Sequence, residues 1–218
     1  MKDKKRYLSL YVDISTKKIV VFGGGTVAER KVSNLLGSKQ VVVVSASLTE
    51  ALQTLWESDQ IDHINAKLKV KDDVLIKALI NKAFLVVPAT SDRQLNTAIK
   101  QLADEEGILC NDVDQADDVL IPSQIHTPEA SIAITTYGSA PAILKYVKDK
   151  AAAVVTPQVD AMIRIQNIIR NALKKVTDDV EYRRTLLHKI LDDDDIWALL
   201  PEHEEQALGM AKKHAELD

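Results

Sequence analysis

The sequence has a single cysteine, no long apolar run and no excess of positive charge, and each of these features excludes a class of protein. Because Cys110 has no second cysteine to pair with, the chain cannot form an internal disulfide, which is typical of a reducing compartment. No apolar run approaches the length of a transmembrane helix, and the basic start of the chain lacks the apolar stretch of a signal peptide. The net charge of −4 argues against a nucleic-acid-binding surface. We therefore expect a cytoplasmic protein whose partners include neither a membrane nor a nucleic acid.

Sequence signatures of metal sites and of common hydrolases are missing as well. The five histidines are scattered, and none of them forms H-x-x-x-H or a spacing with the cysteine that would suit a metal. We therefore predict no bound metal. The chain also contains no G-x-x-x-x-G-K-[ST] loop and no G-x-S-x-G elbow, which argues against a P-loop nucleotide hydrolase and an α/β-hydrolase.

Apolar runs alternate with helical patterns through the first half of the chain. The runs that predict buried strands are 19–22, 40–44, 61–65, 83–87 and 108–110, and the helical patterns between them are 26–36, 48–56, 72–81 and 91–106. Ser91 has capping-box spacing and is expected to cap the last of these helices. Uninterrupted apolar strands that alternate with helices indicate an α/β fold, with a parallel sheet covered on both faces.

The second half of the chain has a different pattern. Val119–Ile121 and Ser131–Thr135 predict a short antiparallel pair of strands, and from Thr156 onward, with Pro157 at a first helical position, every pattern is helical. Neither the segment with the strand pair nor the helical region after it has enough apolar sequence to fold alone, so we expect a homodimer. The predicted domains are a nucleotide-binding domain at 1–114, a small mixed α/β dimerisation segment at 115–150 and a C-terminal helical domain at 151–218.

A glycine-rich turn follows the first predicted strand. Gly23, Gly25 and Ala28 match G-x-G-x-x-G/A, the turn that seats a dinucleotide pyrophosphate at the start of a helix. Gly23 permits the tight turn, Gly25 lets backbone N–H groups approach the phosphates, and Ala28 lets the helix pack closely on the strand. The alternative is a glycine-rich turn without a ligand. The strand before it and the helix after it favour a Rossmann-like nucleotide-binding domain.

Ligands of such sheets bind at the carboxyl ends of the strands, which selects the loops after the first, second, fourth and fifth strands. The residues that we predict to bind the cofactor are Gly23, Gly24, Gly25, Thr26, Val27, Ser45, Ser47, Leu48, Ala89 and Thr90. The second of these loops normally carries an acid that reads the ribose, but here it has only Ser45 and Ser47 as polar side chains. The choice between NAD and NADP therefore stays open on physical grounds.

The loop after the fifth strand contains the carboxylates Asp112 and Asp114. Asp114 is our candidate proton acceptor beside a hydride transfer, and an Asx turn is the competing interpretation. Residues predicted to bind substrate are Asn111, Thr136, Gly138 and Ser139, although Ser139 is equally suited to cap the following helix. Candidate cations for an acidic substrate are Arg30, Arg93 and Lys145, which are equally typical of solvated helix residues.

Several of these segments together resemble one known family. They are Gly-Gly-Gly-Thr-Val-Ala-Glu-Arg-Lys at 23–31, Ala-Thr-Ser-Asp-Arg-Gln-Leu-Asn at 89–96, Cys-Asn-Asp-Val-Asp at 110–114, Ile-Pro-Ser at 121–123 and Thr-Thr-Tyr-Gly-Ser-Ala-Pro at 135–141. The chain resembles the siroheme synthase N-terminal family over about residues 6–150. The resemblance implies a Rossmann domain, an interlocking dimerisation segment, a helical tail and NAD-dependent oxidation of precorrin-2 to sirohydrochlorin. In some members of the family, the implied activity also includes insertion of Fe²⁺ into sirohydrochlorin.

The same resemblance assigns the key aspartate to Asp114 and a hydroxyl residue to Thr136. Three positions depart from the family pattern. Ala140 precedes Pro141 where a serine is usual, Ser-Ala-Ser follows the second strand, and Asp112 adds an acid. The alternatives to a dehydrogenase are an S-adenosylmethionine-dependent methyltransferase, a nucleotide- or tetrapyrrole-binding module without catalysis, and a chelatase that has lost the dehydrogenase activity.

Overall fold

A computed structural model of the chain describes residues 6–112 and 119–217, which form two compact units. The first unit ends at Ile121 and the second begins at Pro122. The finer division of the chain at 114 and 150 stays a prediction.

The first unit is a parallel sheet flanked by helices. Its strands are β1 (Lys18–Phe22), β2 (Gln40–Ser45), β3 (Asp62–Asn65), β4 (Leu85–Pro88) and β5 (Leu109–Cys110), and its helices are α1 (Thr26–Ser33), α2 (Glu50–Glu57), α3 (Asp73–Ile80) and α4 (Arg93–Glu105). The order across the sheet is β3-β2-β1-β4-β5, with every pair parallel. The chain moves outward from β1 to β3 and then returns to the other side of β1, so the strand order reverses between β1 and β4. This topology confirms the predicted Rossmann-like α/β fold.

The apolar runs of the strands supply both faces of this sheet. Alternate residues of β1 point to opposite sides, so Ile19 and Val21 pack with α1 and α2, while Val20 and Phe22 pack with α3 and α4. All four side chains are fully buried. Because both faces are covered, the strands need no polar alternation, which explains why they appear as continuous apolar runs.

The second unit consists of a hairpin and a group of helices. Its elements are β6 (Ser123–His126), β7 (Ser131–Ile134), α5 (Pro141–Ala152), α6 (Pro157–Val176), α7 (Val180–Leu191), α8 (Asp194–Ala198) and α9 (Glu204–His214). The helical core is formed by buried side chains from α6, α7, α8 and α9, such as Ile165, Ile190 and Ile196. The hairpin is joined to α6 where the Thr127 hydroxyl donates to the buried Asp160 carboxylate at 2.6 Å.

The prediction that Val119–Ile121 pairs with β7 is wrong. The partner of β7 is β6, in an antiparallel register that places Ser123 opposite Ile134. The turn between these strands closes where the Thr127 N–H donates to the Ala130 carbonyl at 2.9 Å, and this short loop sets the register. Val119 and Ile121 instead pack against the core of the first unit. Among the described helices, none is both long enough and apolar enough to span a membrane.

Candidate functional site

A cleft of about 640 Å³ opens in the first unit at the carboxyl ends of its strands, around the point where the strand order reverses. All of the residues predicted to bind the cofactor line it, together with Ala66, Lys67 and Leu68, which the sequence did not single out. Ligands of doubly wound sheets bind at this position, and a cleft of this volume suits a small-molecule cofactor.

Gly23 and Gly24 allow the loops that follow β1, β2 and β4 to pack closely against one another at the cleft. Gly23 has φ = +117°, and a Cβ there would lie 2.3 Å from the Ala89 carbonyl oxygen. A Cβ on Gly24 would lie 2.0 Å from the Ser47 carbonyl oxygen, because the turn after β1 packs directly on the loop after β2. Hydrogen bonds hold this contact, with the Gly23 N–H donating to the Val44 carbonyl and the Thr49 N–H to the Gly24 carbonyl, both at 2.9 Å. Glycine is required at both positions by backbone packing.

Gly25 has a different role at the start of α1. It is the N-cap residue and, as a glycine, has no side chain that could cap the helix. Apart from Gly25 and its neighbours along the chain, no part of the described structure lies within 4 Å of the place where a Cβ would be. The first N–H groups of the helix therefore face the cleft without a side-chain cap, next to space that a larger residue would occupy. Uncapped N–H groups and the positive end of the helix dipole bind anions, so the residues present fit a pyrophosphate.

Val27 and Ala28, neighbours in α1, differ sharply in exposure. Ala28 is fully buried against the sheet, as the G-x-G-x-x-A pattern predicts. Val27, which we predicted to bind the cofactor, is 40% exposed and lines the cleft. It therefore offers an apolar surface to a ligand rather than to the core.

Polar groups at the end of β2 are arranged around the Ser45 side chain. The Ser45 hydroxyl donates to the Ser47 carbonyl at 2.8 Å and lies 3.2 Å from the His63 Nε2 atom of β3. His63 in turn packs edge-on against Trp56. The hydroxyl of Ser45 is thus buried and engaged, whereas Ser47 is exposed at the cleft.

The loop after β4 is held by Asn96, which is 1% exposed. Its side-chain oxygen accepts from the Thr90 hydroxyl at 2.7 Å and from the Thr90 N–H at 3.1 Å, and its side-chain nitrogen donates back to the Thr90 carbonyl at 3.1 Å.

The cap of α4 is Asp92, whose carboxylate accepts from the N–H groups of Gln94 and Leu95, so the prediction that Ser91 caps this helix is wrong. The Asp92 carboxylate has two acceptor oxygens. The hydrogen bond that the Asp92 backbone N–H donates to the Thr90 hydroxyl directs this carboxylate toward the start of α4.

Asn96 is the residue that sequence reasoning missed in this loop. Its signal was present, because Asn96 ends the Ala-Thr-Ser-Asp-Arg-Gln-Leu-Asn segment on which the family resemblance rests. A buried amide whose oxygen and nitrogen both bind one backbone segment fixes that segment in a single conformation.

Asn111, a predicted substrate-binding residue, is buried at the end of β5. Its side-chain oxygen accepts from the Lys31 ammonium at 2.7 Å, and its side-chain nitrogen donates to the Val119 carbonyl at 2.9 Å. The neighbouring Asp112 is 5% exposed. Asp114, the candidate proton acceptor, lies outside the described residues.

The predicted substrate residues Thr136, Gly138 and Ser139 lie in the second unit, in the turn between β7 and α5. The Ser139 hydroxyl donates to the Thr136 carbonyl at 2.6 Å, and Gly138 adopts φ = +76°. The alternative that Ser139 caps α5 is wrong, because the N-cap residue is Ala140.

The candidate cations Arg30, Arg93 and Lys145 are all exposed. Within the described part of the chain, no three histidine, cysteine, aspartate or glutamate side chains are grouped to hold a metal.

This chain is similar to several known proteins. Residues 10–123 match the family model described as "Putative NAD(P)-binding". A precorrin-2 dehydrogenase from Methanosarcina barkeri is 38% identical over 97% of this chain and 94% of its own length. A siroheme synthase from Actinobacillus pleuropneumoniae is 29% identical over 94% of this chain, which spans only 42% of that longer protein. The solved structure titled "SirC, precorrin-2 dehydrogenase" has the same fold, with a TM-score of 0.71 at 22% identity, and the match covers 95% of this chain and 100% of that one.

Proposed function

The chain belongs to the siroheme synthase N-terminal family, and on that premise we propose that it is an NAD-dependent dehydrogenase that oxidises precorrin-2 to sirohydrochlorin. The observation that carries the proposal is the cleft at the strand-order reversal, where α1 presents uncapped N–H groups beside Gly25. The near full-length similarity to a precorrin-2 dehydrogenase supports the choice of substrate. A cytoplasmic location, suggested by the single and buried cysteine, is part of the proposal.

The residues of the cleft bind and orient the cofactor. NAD supplies the acceptor for the hydride that leaves the substrate. The N–H groups at the start of α1 would hold the pyrophosphate, and Val27 would offer an apolar contact at the same end. Ala89 and Thr90 would contact the nicotinamide ring or its ribose, and the hydrogen bonds of Asn96 keep the Thr90 backbone in place. A fixed backbone at this position helps to orient a bound ligand.

The proton that leaves the substrate is assigned to Asp114. The family resemblance supports this role, as does the position of Asp114 in the sequence directly after the β5 segment at one end of the cleft-forming sheet. Thr136, Gly138 and Ser139 belong to the substrate side by the same resemblance. A carboxylate accepts the proton as the hydride departs, which avoids a cationic product on the macrocycle.

A homodimer belongs to the proposal because α5 has no buried residue. Ile143, Tyr146 and Val147 recur at helical spacing on this helix and are 57%, 61% and 39% exposed. An apolar face of this kind suits a partner surface, and a second copy of the chain is our choice of partner. Light scattering on the purified chain tests it: we expect a dimer, and we expect Tyr146→Lys to shift the mass toward that of a monomer.

The reaction itself is tested with precorrin-2 and NAD⁺. We expect the purified chain to generate the sirohydrochlorin spectrum together with NADH absorbance, and we expect Asp114→Ala to lose most of the rate. Asp178→Ala is the matched control, since Asp178 is an exposed carboxylate of the second unit. Full activity of the Asp114 variant would remove that residue from the mechanism.

The same samples separate the competing functions. A methyltransferase would be stabilised against heat by S-adenosylmethionine rather than by NAD⁺, and a non-catalytic module would bind NAD⁺ or the tetrapyrrole without any rise in NADH absorbance. Adding Fe²⁺ or Co²⁺ after the oxidation step reports whether the chain also inserts metal into its product.

A further inference from the structure

We propose that Asn111 is a positioning residue for the reaction, oriented by Lys31, and that its amide ties together the described residues on either side of Asp114. This inference rests on the proposed function, because it concerns how the proposed proton acceptor is positioned. Asn111, which we predicted to bind substrate, then acts through the chain beside it rather than on the substrate itself.

The first argument is that the backbone of Asn111 is fixed to the sheet. β5 ends at Cys110, and its register partner in β4 is Val86. The Asn111 N–H donates to the Val86 carbonyl at 2.9 Å, so the pairing of β5 with β4 continues for one more residue. Asn111 is only 3% exposed. Its side chain therefore starts from a fixed and buried point at the end of the strand.

The second argument is that both ends of the Asn111 amide are used. The side-chain oxygen accepts from the Lys31 ammonium at 2.7 Å, and the side-chain nitrogen donates to the Val119 carbonyl at 2.9 Å. An ammonium can only donate and a backbone carbonyl can only accept, so a single orientation of the amide satisfies both partners. Lys31 thus determines which end of the amide faces Val119. A carboxylate of the same shape could accept from Lys31 but could not donate to Val119.

The third argument is the place of Val119 in the first unit. Its side chain packs against the core cluster that contains Ala28 and Val32 of α1, the helix that also carries Lys31. The amide of Asn111 therefore joins three segments, which are α1, the end of β5 and the chain that returns at Val119.

Asp114 lies in the sequence between Asn111 and Val119, the two residues that this amide ties together. A displacement of a reacting group by about 1 Å can cost about a hundredfold in rate, so the anchoring of the residues that flank a general base affects catalysis directly. Neither Lys31 nor Asn111 lines the cofactor cleft. We therefore expect the pair to affect kcat and to leave the binding of NAD⁺ and precorrin-2 unchanged.

The test is a double-mutant cycle on kcat with precorrin-2 and NAD⁺. Lys31→Met leaves the bond to Val119 in place and should lower kcat about threefold, whereas Asn111→Leu removes both bonds and should lower it about tenfold or more. The double variant should fall no further than Asn111→Leu, because Lys31 acts through the same amide. The KM for precorrin-2 and the dissociation constant of NAD⁺ should stay within about twofold of wild type.

Asn111→Asp separates the two bonds, because it keeps the acceptor for Lys31 and loses the donor to Val119. We expect it to lose kcat as Asn111→Leu does, and a wild-type kcat in this variant overturns the inference. Lys39→Met and Asn34→Leu are the matched controls, since they make the same changes at exposed residues of the first unit, and both should keep the wild-type kcat.

Other outcomes separate this inference from its rivals. Independent losses that multiply in the double variant overturn it, and so does a raised KM at normal kcat, which would mean that the pair binds substrate. A lower melting temperature with a normal kcat in the variants shows a purely structural link and overturns the inference alone. If the Asn111 variants do not fold, a wild-type kcat in Lys31→Met has the same consequence. A wild-type chain that does not oxidise precorrin-2 overturns the inference and the proposed function together.

Discussion

Replacing Gly23 and Gly25 separately by alanine distinguishes the two roles that glycine has at this turn. The change adds the same methyl group at both positions, but the surroundings differ. At Gly23 the new Cβ would meet backbone atoms, with the Ala89 carbonyl oxygen at 2.3 Å and the Thr90 nitrogen at 3.1 Å, in a residue whose φ is +117°. At Gly25, φ is −89°, and apart from Gly25 and its neighbours along the chain no atom of the described structure lies within 4 Å of the Cβ position.

The magnitudes follow from these two environments. A non-glycine residue in a sparsely populated conformation costs about 1–3 kcal/mol, and overpacking a well-packed contact costs about 1–3 kcal/mol more. We therefore expect Gly23→Ala to lower the free energy of unfolding by about 3 kcal/mol and the melting temperature by roughly 10 °C. Gly25→Ala carries neither cost, and the reduced freedom of its unfolded state adds at most about 1 kcal/mol of stability.

Ligand binding should show the opposite pattern for Gly25. Its methyl group enters the space beside the uncapped N–H groups of α1, so we expect NAD⁺ affinity to fall about tenfold, equivalent to about 1.4 kcal/mol. The measurements are thermal unfolding without ligand and calorimetric titration with NAD⁺. Our reasoning is refuted if Gly23→Ala melts like the wild-type chain, or if Gly25→Ala binds NAD⁺ normally while its fold is intact.

Three further predictions concern the helices of the second unit. The hydrogen bond between the His214 ring and the Asp193 carboxylate lowers the pKa of Asp193, so its stabilisation is present above the unfolded pKa and is lost as the pH falls below about 4. Urea unfolding across the acid range should therefore show a shallower loss in Asp193→Asn than in wild type, and equal losses would contradict this. Arg164 binds Glu204 through two hydrogen bonds of 2.9 and 2.6 Å, but both side chains are about one-third exposed, at 38% and 33%. Arg164→Lys should then shift the midpoint of chemical denaturation only slightly, and a large shift would show that this pair is not solvent-screened. Gly209 lies within α9 with open space at its Cβ position, so Gly209→Ala should raise the unfolding free energy by about 0.5–1 kcal/mol, and a lower melting temperature would refute this.

Features that depend only on residues close together in the sequence were predictable. The strands of the first unit are continuous apolar runs because both of their faces are buried, and this property is visible in any short window. The turn at residues 23–25 is equally local, since it follows the end of a strand and precedes a helix. The boundaries were less accurate. Asp92 rather than Ser91 caps α4, because both residues can cap and the hydrogen bond from the Asp92 N–H to the Thr90 hydroxyl selects between them.

The second unit shows why the other features were not predictable. Val119–Ile121 is entirely apolar, whereas β6 has Ile125 as its one apolar residue, so the apolar pattern favoured the wrong segment. The strand pairing follows from the turn at Thr127–Ala130, and Val119 packs in the core of the first unit. The turn is local, but the packing of Val119 joins segments that are separated in the sequence, so no short window of residues contains that information.

The sequence by itself determined that this chain forms a parallel sheet with a glycine turn between its first strand and first helix, because strand burial and glycine spacing are local properties. Only the tertiary structure decided which polar groups face the cleft. Ser45 resembles Ser47 in the sequence, yet the parallel pairing of β2 with β3 engages Ser45 with His63, while Ser47 is exposed at the cleft. Likewise, Asn96 is enclosed by the Thr90 loop and Asn111 by Lys31 and Val119. The availability of a side chain depends on partners far along the chain, and these partners are defined only when the strands assemble.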